Sequence, residues 1–241
     1  MTEQPEIGTV ISTAMSPSPS SVNFVVTNGV VHRGQYVEVD YSEGRLVGLV
    51  VDVYKTNRYF ERAESVKEFE STGRKMLEEF PVSEWEYLVS QVKPLGVYTK
   101  EGSIKRATFP PSPGDKVRVA ASSTIEKFLG FPEKGLNLGV INFHGTQVKL
   151  SLSRLIKKHL AILAQSGAGK SVTVKSIIEE VLDRPKEEGR VAVVVIDVHG
   201  EYTSFAQPST KSEVKDYSTK TSVISSSDIR IGVPKLNVGM I

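Results

Sequence analysis

Hydrophobic residues alternate with polar residues in four short stretches of the first 120 residues. The alternating positions are Val22, Phe24 and Val26; Val37, Val39 and Tyr41; Val47, Leu49, Val51 and Val53; and Val117 and Val119. A period of two places these side chains on one face of a β-strand, and segments rich in Pro, Gly, Ser and Asn separate the stretches. Short half-buried strands joined by such turns predict a small closed β-barrel over residues 1–120.

A helical spacing interrupts this pattern near residues 61–80, where Gly73 divides the apolar face. The apolar positions on that face are Val66, Phe69, Met76, Leu77 and Phe80. We expect a helical insertion between barrel strands that covers one mouth of the barrel. A helix that binds a partner protein is the alternative.

The pattern changes after residue 120 to that of an α/β domain, which we place at residues 121–241. A strand pair over 136–152 is followed by a short apolar stretch at 159–163, which predicts a buried strand. Six apolar residues at 191–196 predict a strand buried on both faces, as in a parallel sheet covered by helices. Between these two stretches, one helical face is marked by Val174, Ile177, Ile178, Val181 and Leu182. The predicted class is α/β with an N-terminal all-β barrel.

A glycine-rich loop joins the predicted strand at 159–163 to this helix. Its sequence, Ala164-Gln165-Ser166-Gly167-Ala168-Gly169-Lys170-Ser171, is one residue away from the phosphate-loop pattern G-x-x-x-x-G-K-[S/T]. Lys170 can extend along the β- and γ-phosphates of a nucleotide, and the Ser171 hydroxyl can coordinate a magnesium ion. The sequence thus predicts a site for ATP and magnesium formed by Gln165, Ser166, Gly167, Ala168, Gly169, Lys170, Ser171 and Val172.

The loop departs from the pattern at its first position, where Ala164 replaces glycine. A methyl group is compatible with strand-like dihedral angles there, but it would be strained at a positive φ. We therefore expect nucleotide binding to be retained. The alternative is a strand-to-helix turn that contains glycine and carries a solvated lysine.

Acidic residues follow the predicted strand at 191–196. Asp197, His199 and Glu201 come directly after it, and ligands bind at the carboxyl ends of strands in open α/β sheets. Asp197 is a candidate catalytic residue and a possible magnesium ligand, although an auxiliary acidic role is favoured because the Walker B strand often comes one strand later. Glu201 is the candidate that orients the attacking water. We interpret His199 as a turn residue that bonds its own loop, because no second histidine or cysteine stands at metal-ligand spacing.

Composition excludes several classes of protein. The 241 residues contain no cysteine, which rules out disulfides and zinc–thiolate sites. No signal peptide or bilayer-spanning apolar run is visible, so we expect a cytoplasmic protein without membrane contact. The net charge of +2 does not by itself indicate nucleic-acid binding. Two basic patches are candidates for it: Lys93, Lys100, Lys105 and Arg106, and Arg154, Lys157, Lys158 and His159. For either patch taken alone, an ordinary solvated basic face is the favoured interpretation.

Four segments together resemble a known family, the HerA-type archaeal DNA-translocating ATPases of the HerA–FtsK group. The segments are 7–11, 33–37, 159–171 and, most specifically, Ile196-Asp197-Val198-His199-Gly200-Glu201-Tyr202. The resemblance implies a barrel like that of ATP-synthase subunits followed by a RecA-like P-loop NTPase domain with a parallel sheet. It also implies a hexameric ring around duplex DNA and partnership with a NurA-like nuclease in DNA end resection and double-strand break repair.

Two further departures bear on catalysis. Lys158 stands where similar proteins often carry an arginine that reaches the neighbouring subunit's site, so it is the possible trans-acting cation. Few residues follow Asp197 to form the remaining strands of a RecA-like sheet, so we expect the ATPase domain to be incomplete at its C-terminal end.

Two functions follow from these departures. The first is the ATP-binding part of a DNA translocase or helicase, in which this chain alone does not turn over ATP. The second is a non-hydrolysing nucleotide-binding or assembly module that docks a nuclease or a ring neighbour.

Overall fold

The computed structural model of the protein describes residues 4–157, 159–209 and 214–230. They fall into two compact units. One comprises the residues up to Glu133 together with Gly139–Lys149, and the other comprises Lys134–Leu138 and the residues from Leu150 onwards. Across these described ranges, no helix combines the length and the apolar character that crossing a membrane requires.

The first unit is built on seven antiparallel strands. These are β1 (Glu6–Val10), β2 (Val22–Val26), β3 (Tyr36–Tyr41), β4 (Gly44–Asn57), β5 (Glu86–Tyr98), β6 (Ile104–Lys105) and β7 (Lys116–Val119). Six of them pair in the order β2-β1-β7-β3-β4-β5, and β5 pairs back to β2, which closes a barrel; β6 adds to the outer edge of β5. The barrel predicted from the alternating residues is confirmed.

The inward-facing side chains of these strands form the core of the barrel. Its fully or almost fully buried members include Val10, Val22, Phe24, Val37, Val39, Leu46, Val50, Val92, Val97 and Val117. Each such side chain contributes about 1.5–3 kcal/mol relative to exposure. Gly8 lets β1 pass close over this core, because a Cβ atom there would lie 2.3 Å from Cδ2 of Phe24. The barrel therefore has room for only a glycine at this position.

The helical insertion between β4 and β5 is confirmed, but it is divided in two. Its helices are α1 (Ala63–Ser71) and α2 (Met76–Glu79). Gly73 separates them with a φ of +80°, a left-handed angle that favours glycine. That the insertion covers a mouth of the barrel stays a prediction. A further helix of this unit, α3 (Ser122–Leu129), follows β7.

The strand pair predicted over 136–152 is also confirmed, as β8 (Leu136–Val140) and β9 (Gln147–Leu150). Two side chains of the turn between them contact residues of the barrel, one through a hydrogen bond and one through ring stacking. Nε2 of His144 accepts a hydrogen bond of 2.8 Å from the backbone N–H of Tyr36, and the ring of Phe143 stacks on His32 with centroids 4.5 Å apart. The turn is thus part of the first unit.

The second unit contains α4 (Leu152–Lys157) and α5 (Lys170–Asp183). The helix predicted after the glycine loop is therefore confirmed. Its buried residue Val181 packs in a small cluster with Leu136 and Leu152, against which Leu138, Leu155, Ile177 and Val191 are partly buried.

Two strands predicted for the second unit are not formed. Residues 159–163 and 191–196 lie outside every strand of the described part of the chain. Val194 and Ile196 are each 90% exposed, and Leu163 is 92% exposed. A strand requires a neighbour that pairs with its N–H and C=O groups, and among the described residues these segments have none. The prediction of a strand buried on both faces at 191–196 is wrong for this structure, while the α/β class with an N-terminal barrel is confirmed.

Candidate nucleotide site

The predicted phosphate loop lies directly before α5 in the second unit. Gly167 and Gly169 have φ angles of +79° and +87°, in the left-handed region that strains residues with a side chain. A Cβ atom on either glycine would meet no other atom within 4 Å. The backbone angle, and not a lack of space, therefore requires glycine at both positions.

Ala164, the first residue of the loop pattern, has a backbone angle that its methyl group tolerates. Among the described residues, Phe143 is the non-glycine residue with a positive φ, so Ala164 does not adopt that angle. Alanine is accordingly compatible with the first position of the loop. The turn that follows is closed by a hydrogen bond of 3.1 Å from Ala168 N–H to the carbonyl of Gln165.

The start of α5 presents free hydrogen-bond donors. Thr173 N–H donates to the carbonyl of Gly169 at 2.9 Å. The backbone N–H groups of Lys170, Ser171 and Val172 donate to no acceptor in the described part of the protein. Unpaired N–H groups at a helix start, together with the positive end of the helix dipole, favour an anion such as a phosphate. The loop therefore fits a phosphate group.

The side chains of Lys170 and Ser171, the first two residues of α5, have no polar partner among the described residues. Lys170 is exposed and forms no ion pair with a described residue, and the hydroxyl of the half-buried Ser171 makes no hydrogen bond within the same ranges. By contrast, the hydroxyls of Thr173 and Ser176 donate back to carbonyls one turn earlier, at 3.1 Å in both cases. The Lys170 ammonium and the Ser171 hydroxyl are thus free to bind a ligand at the same helix start as the free N–H groups.

The same donor set fits a magnesium ion that arrives with a nucleotide. Within the described ranges, no three acidic or histidine side chains gather in a group that could hold a metal ion. Magnesium in nucleotide sites usually takes one or two protein oxygens, and phosphate oxygens and water complete its octahedron. Ser171 Oγ would be the protein oxygen in this arrangement.

Asp197 lies in a tight turn and is bonded to that turn's own backbone. Its Oδ1 accepts from Glu201 N–H at 3.1 Å, and its Oδ2 accepts from Tyr202 N–H at 2.8 Å. The bond from Tyr202 is the main cause that holds the pKa of the Asp197 carboxyl below its usual value. Gly200 turns the chain with a φ of +72°. The side chain of the exposed His199 makes no hydrogen bond to a described residue, whereas its backbone contributes a hydrogen bond that lowers the pKa of Asp197, so His199 is bonded to its own turn through the backbone.

No direct polar contact among the described residues joins the phosphate loop to the turn of residues 197–202, called here the acidic turn. Within the described part of the chain, no hydrogen bond or ion pair connects residues 164–172 with Asp197 or Glu201. The side chain of Glu201 is exposed and has no polar partner there. Lys158, the predicted trans-acting cation, lies outside the described residues. The catalytic roles of these residues stay predictions.

Residues that the sequence pattern did not single out connect the segments after the acidic turn to the end of α5. The Tyr217 hydroxyl donates to Oδ2 of Asp183 at 3.0 Å, and Lys215 pairs with the same oxygen at 2.5 Å. The ring of Phe205 packs on Tyr217 with centroids 5.8 Å apart, and both residues are buried. Burial, together with the bond to Asp183, raises the pKa of Tyr217 above its usual value. The available signal was two aromatic residues in a segment otherwise rich in Ser, Thr and Lys.

Comparison with known proteins matches residues 136–239 to the family described as the central domain of helicase HerA. The chain is 30% identical over 185 residues to a probable helicase of Methanocaldococcus jannaschii. These aligned residues cover 75% of this chain and 34% of that protein. It is 27% identical over 196 residues to the DNA double-strand break repair helicase HerA of Sulfurisphaera tokodaii, covering 81% and 36% of the two chains. An uncharacterized protein of Aquifex aeolicus is 28% identical over 211 residues, covering 76% and 77%. The chain thus spans about a third of the length of these helicase relatives.

Proposed function

Because this chain is a HerA-type protein, we propose that it carries the ATP-binding part of a DNA translocase or helicase that acts in double-strand break repair. One observation carries the proposal: three free backbone N–H groups, the unpaired Lys170 and the free Ser171 hydroxyl all lie at the start of α5. Neutral and charged donors directed at one point are the means by which proteins bind a triphosphate.

The residues have distinct roles in the proposed reaction. Bound Mg·ATP would supply the γ-phosphoryl group that is transferred to water. Lys170 would neutralise charge on the β- and γ-phosphates, and Ser171 would hold the magnesium ion. Glu201 would orient the attacking water through its carboxylate. Lys158 would supply a cation to the site of a neighbouring subunit in a hexameric ring.

Calorimetric titration with Mg·ADP tests the nucleotide site. Lys170→Ala is expected to abolish measurable binding, because the lysine provides the direct charge contact with the phosphates. Lys175→Ala is the matched control, since Lys175 lies in the next turn of α5 and is in no ion pair with a described residue. Equal affinities for the parent protein and Lys170→Ala would refute the phosphate-loop assignment.

A specific observation favours the second function, a nucleotide-binding or assembly module that does not hydrolyse ATP. Both carboxylate oxygens of Asp197 already accept backbone hydrogen bonds, so this candidate magnesium ligand is engaged in its own turn. Phosphate release by the purified chain, measured beside Lys170→Ala and Glu201→Gln, tests whether this chain can hydrolyse ATP by itself. Turnover in the parent that both substitutions abolish would identify a hydrolase; none is expected from this chain alone.

The partners belong to the same proposal. The relatives' names associate them with DNA double-strand break repair, and we extend duplex DNA as a ligand and a NurA-like nuclease as a partner to this chain. Binding to duplex DNA through the basic patches should be independent of sequence and should weaken steeply with salt, because it depends on counterion release. Fluorescence anisotropy with two unrelated duplexes over a series of salt concentrations measures both properties. Sequence-selective or salt-insensitive binding would contradict the proposed role.

A further inference from the structure

The carboxylate of Asp197 is bonded to the backbone of the turn that carries Glu201. We propose that Asp197 is a positioning residue, which holds the 197–202 turn through its backbone and thereby sets where the Glu201 carboxylate stands. The inference rests on the proposed function, since it assigns Glu201 to the attacking water. Asp197 itself then acts through Glu201 and does not touch the nucleotide.

Both carboxylate oxygens of Asp197 accept hydrogen bonds from the backbone of the turn. One oxygen of its carboxylate bonds to the backbone N–H of Glu201 at 3.1 Å and the other to that of Tyr202 at 2.8 Å. Bonds to an ionised acceptor are shorter and about twice as strong as neutral ones. Because they engage two consecutive N–H groups, they fix the peptide plane on each side of the Glu201 Cα atom.

Little else holds the turn at this point. Val198, His199, Gly200 and Glu201 are all exposed, so side-chain packing contributes little to their conformation. The Thr203 hydroxyl adds one bond, to the carbonyl of Gly200 at 3.0 Å. The two bonds from Asp197 are therefore the principal constraint on the residues that precede Tyr202.

The other end of the turn is tied to the helix that begins at the phosphate loop. Phe205 is buried against Tyr217, and the Tyr217 hydroxyl bonds to Asp183, the last residue of α5. The first residue of that helix is Lys170. A turn fixed by Asp197 at its start and by this chain of contacts at its end holds Glu201 in a defined position relative to α5.

Backbone hydrogen exchange tests the first half of the inference without any nucleotide. Asp197→Asn keeps the side-chain shape, but it removes the charge and places an NH2 donor against a backbone N–H. Exchange in a peptide covering 198–206 should accelerate about tenfold, as expected for loss of a charge-assisted bond. A peptide from α5 is the internal reference for the fold, and Glu201→Gln is the matched control that should leave exchange unchanged. Unchanged exchange in Asp197→Asn would overturn the inference.

Binding of Mg·ADP with and without aluminium fluoride tests whether the turn serves Glu201. The fluoride complex imitates the phosphoryl group in transfer, when an oriented water matters. Asp197→Asn and Glu201→Gln should each weaken binding of the fluoride complex about tenfold and leave binding of Mg·ADP alone unchanged, and the double variant should lose no more than one of them. Additive losses, or weaker binding of Mg·ADP in Asp197→Asn, would show that Asp197 acts on the metal or nucleotide itself and would overturn the inference.

The two measurements also separate this inference from the proposed function. If the parent protein binds no Mg·ADP, the proposed nucleotide site fails, whereas hydrogen exchange still decides whether Asp197 holds the turn. If Mg·ADP binds and Lys170→Ala abolishes binding, the nucleotide site stands. Unchanged exchange in Asp197→Asn would then remove the positioning role alone.

Discussion

Nε2 of His144 accepts a hydrogen bond of 2.8 Å from the backbone N–H of Tyr36, a residue that precedes it by 108 positions. His144 lies in the turn between β8 and β9, and Tyr36 is the first residue of β3. An imidazole nitrogen can accept this bond only when it carries no proton. The contact that fastens the turn to the barrel therefore depends on neutral histidine.

The first prediction is that acidification weakens the first unit through His144. Burial lowers the pKa of His144 below its ordinary value of 6.5, although a bond to the backbone of Ala120 opposes the shift. The unfolded chain thus binds the proton at a higher pH than the folded one, so this contribution to stability is present above pH 6.5 and decreases as the pH falls from 6.5 to the lower folded-state pKa.

Urea unfolding at several pH values, followed by the fluorescence of Trp85, measures this effect, because Trp85 is the one tryptophan of the chain and lies in the first unit. His144→Gln retains a side-chain acceptor without a proton equilibrium near neutral pH. It should flatten the pH dependence over this interval. An unchanged pH dependence in His144→Gln would assign the effect to another group.

The second prediction concerns the backbone angle of the phosphate loop. Gly169→Ala introduces a side chain at a φ of +87° but no steric contact, so the expected cost is conformational strain of about 1–2 kcal/mol. If the strained loop is the form that binds phosphate, affinity for Mg·ADP should fall about five- to thirtyfold. Gly73→Ala is the matched control, with a φ of +80° and equally open space in the barrel insertion. Calorimetry showing the same loss of affinity in both variants would refute a specific role for the loop angle.

The third prediction concerns the contact between Tyr217 and Asp183, the last residue of α5. Tyr217→Phe removes the hydroxyl that donates to Asp183 at 3.0 Å, which should cost about 1–2 kcal/mol of local stability. Trp85 lies in the other unit, so the measurement is hydrogen exchange in peptides covering 176–183 and 203–209. Both should exchange faster. Tyr202→Phe, whose lost hydroxyl bonds no described residue, should leave them unchanged, and equal behaviour of the two variants would contradict the contact's role.

The sequence was sufficient to predict the barrel and the glycine-containing turn that leads into α5. Val22, Phe24 and Val26 alternate because one face of β2 meets the core, and that period is a local property that a sequence displays directly. The loop was predictable for a similar reason, since glycine at two positive φ angles and a lysine at the helix start are required within a few residues of each other.

The strand predicted at 191–196 does not form, because an apolar run does not specify which strand will pair with it. Val194 and Ile196 are apolar, but without a neighbouring strand among the described residues they remain exposed. The backbone hydrogen bonds of Asp197 were not predictable either, because an acidic side chain can bond a ligand or its own backbone, and the sequence does not distinguish the two. The contact between Tyr217 and Asp183 joins residues 34 positions apart, with no periodic pattern to indicate it.

Asn57 and Glu86, the last residue of β4 and the first of β5, face each other in the barrel's longest ladder. Residues 58–85 connect these two paired positions. An ion pair of 2.5 Å between Lys55 and Glu86 joins the two strands at the same end of the ladder. Since the ladder already holds the two ends together, lengthening the connection adds little closure entropy. The barrel therefore offers a natural point for grafting a fluorescent domain or an affinity tag in place of residues 58–85, in a part of the chain distinct from the unit that carries the phosphate loop.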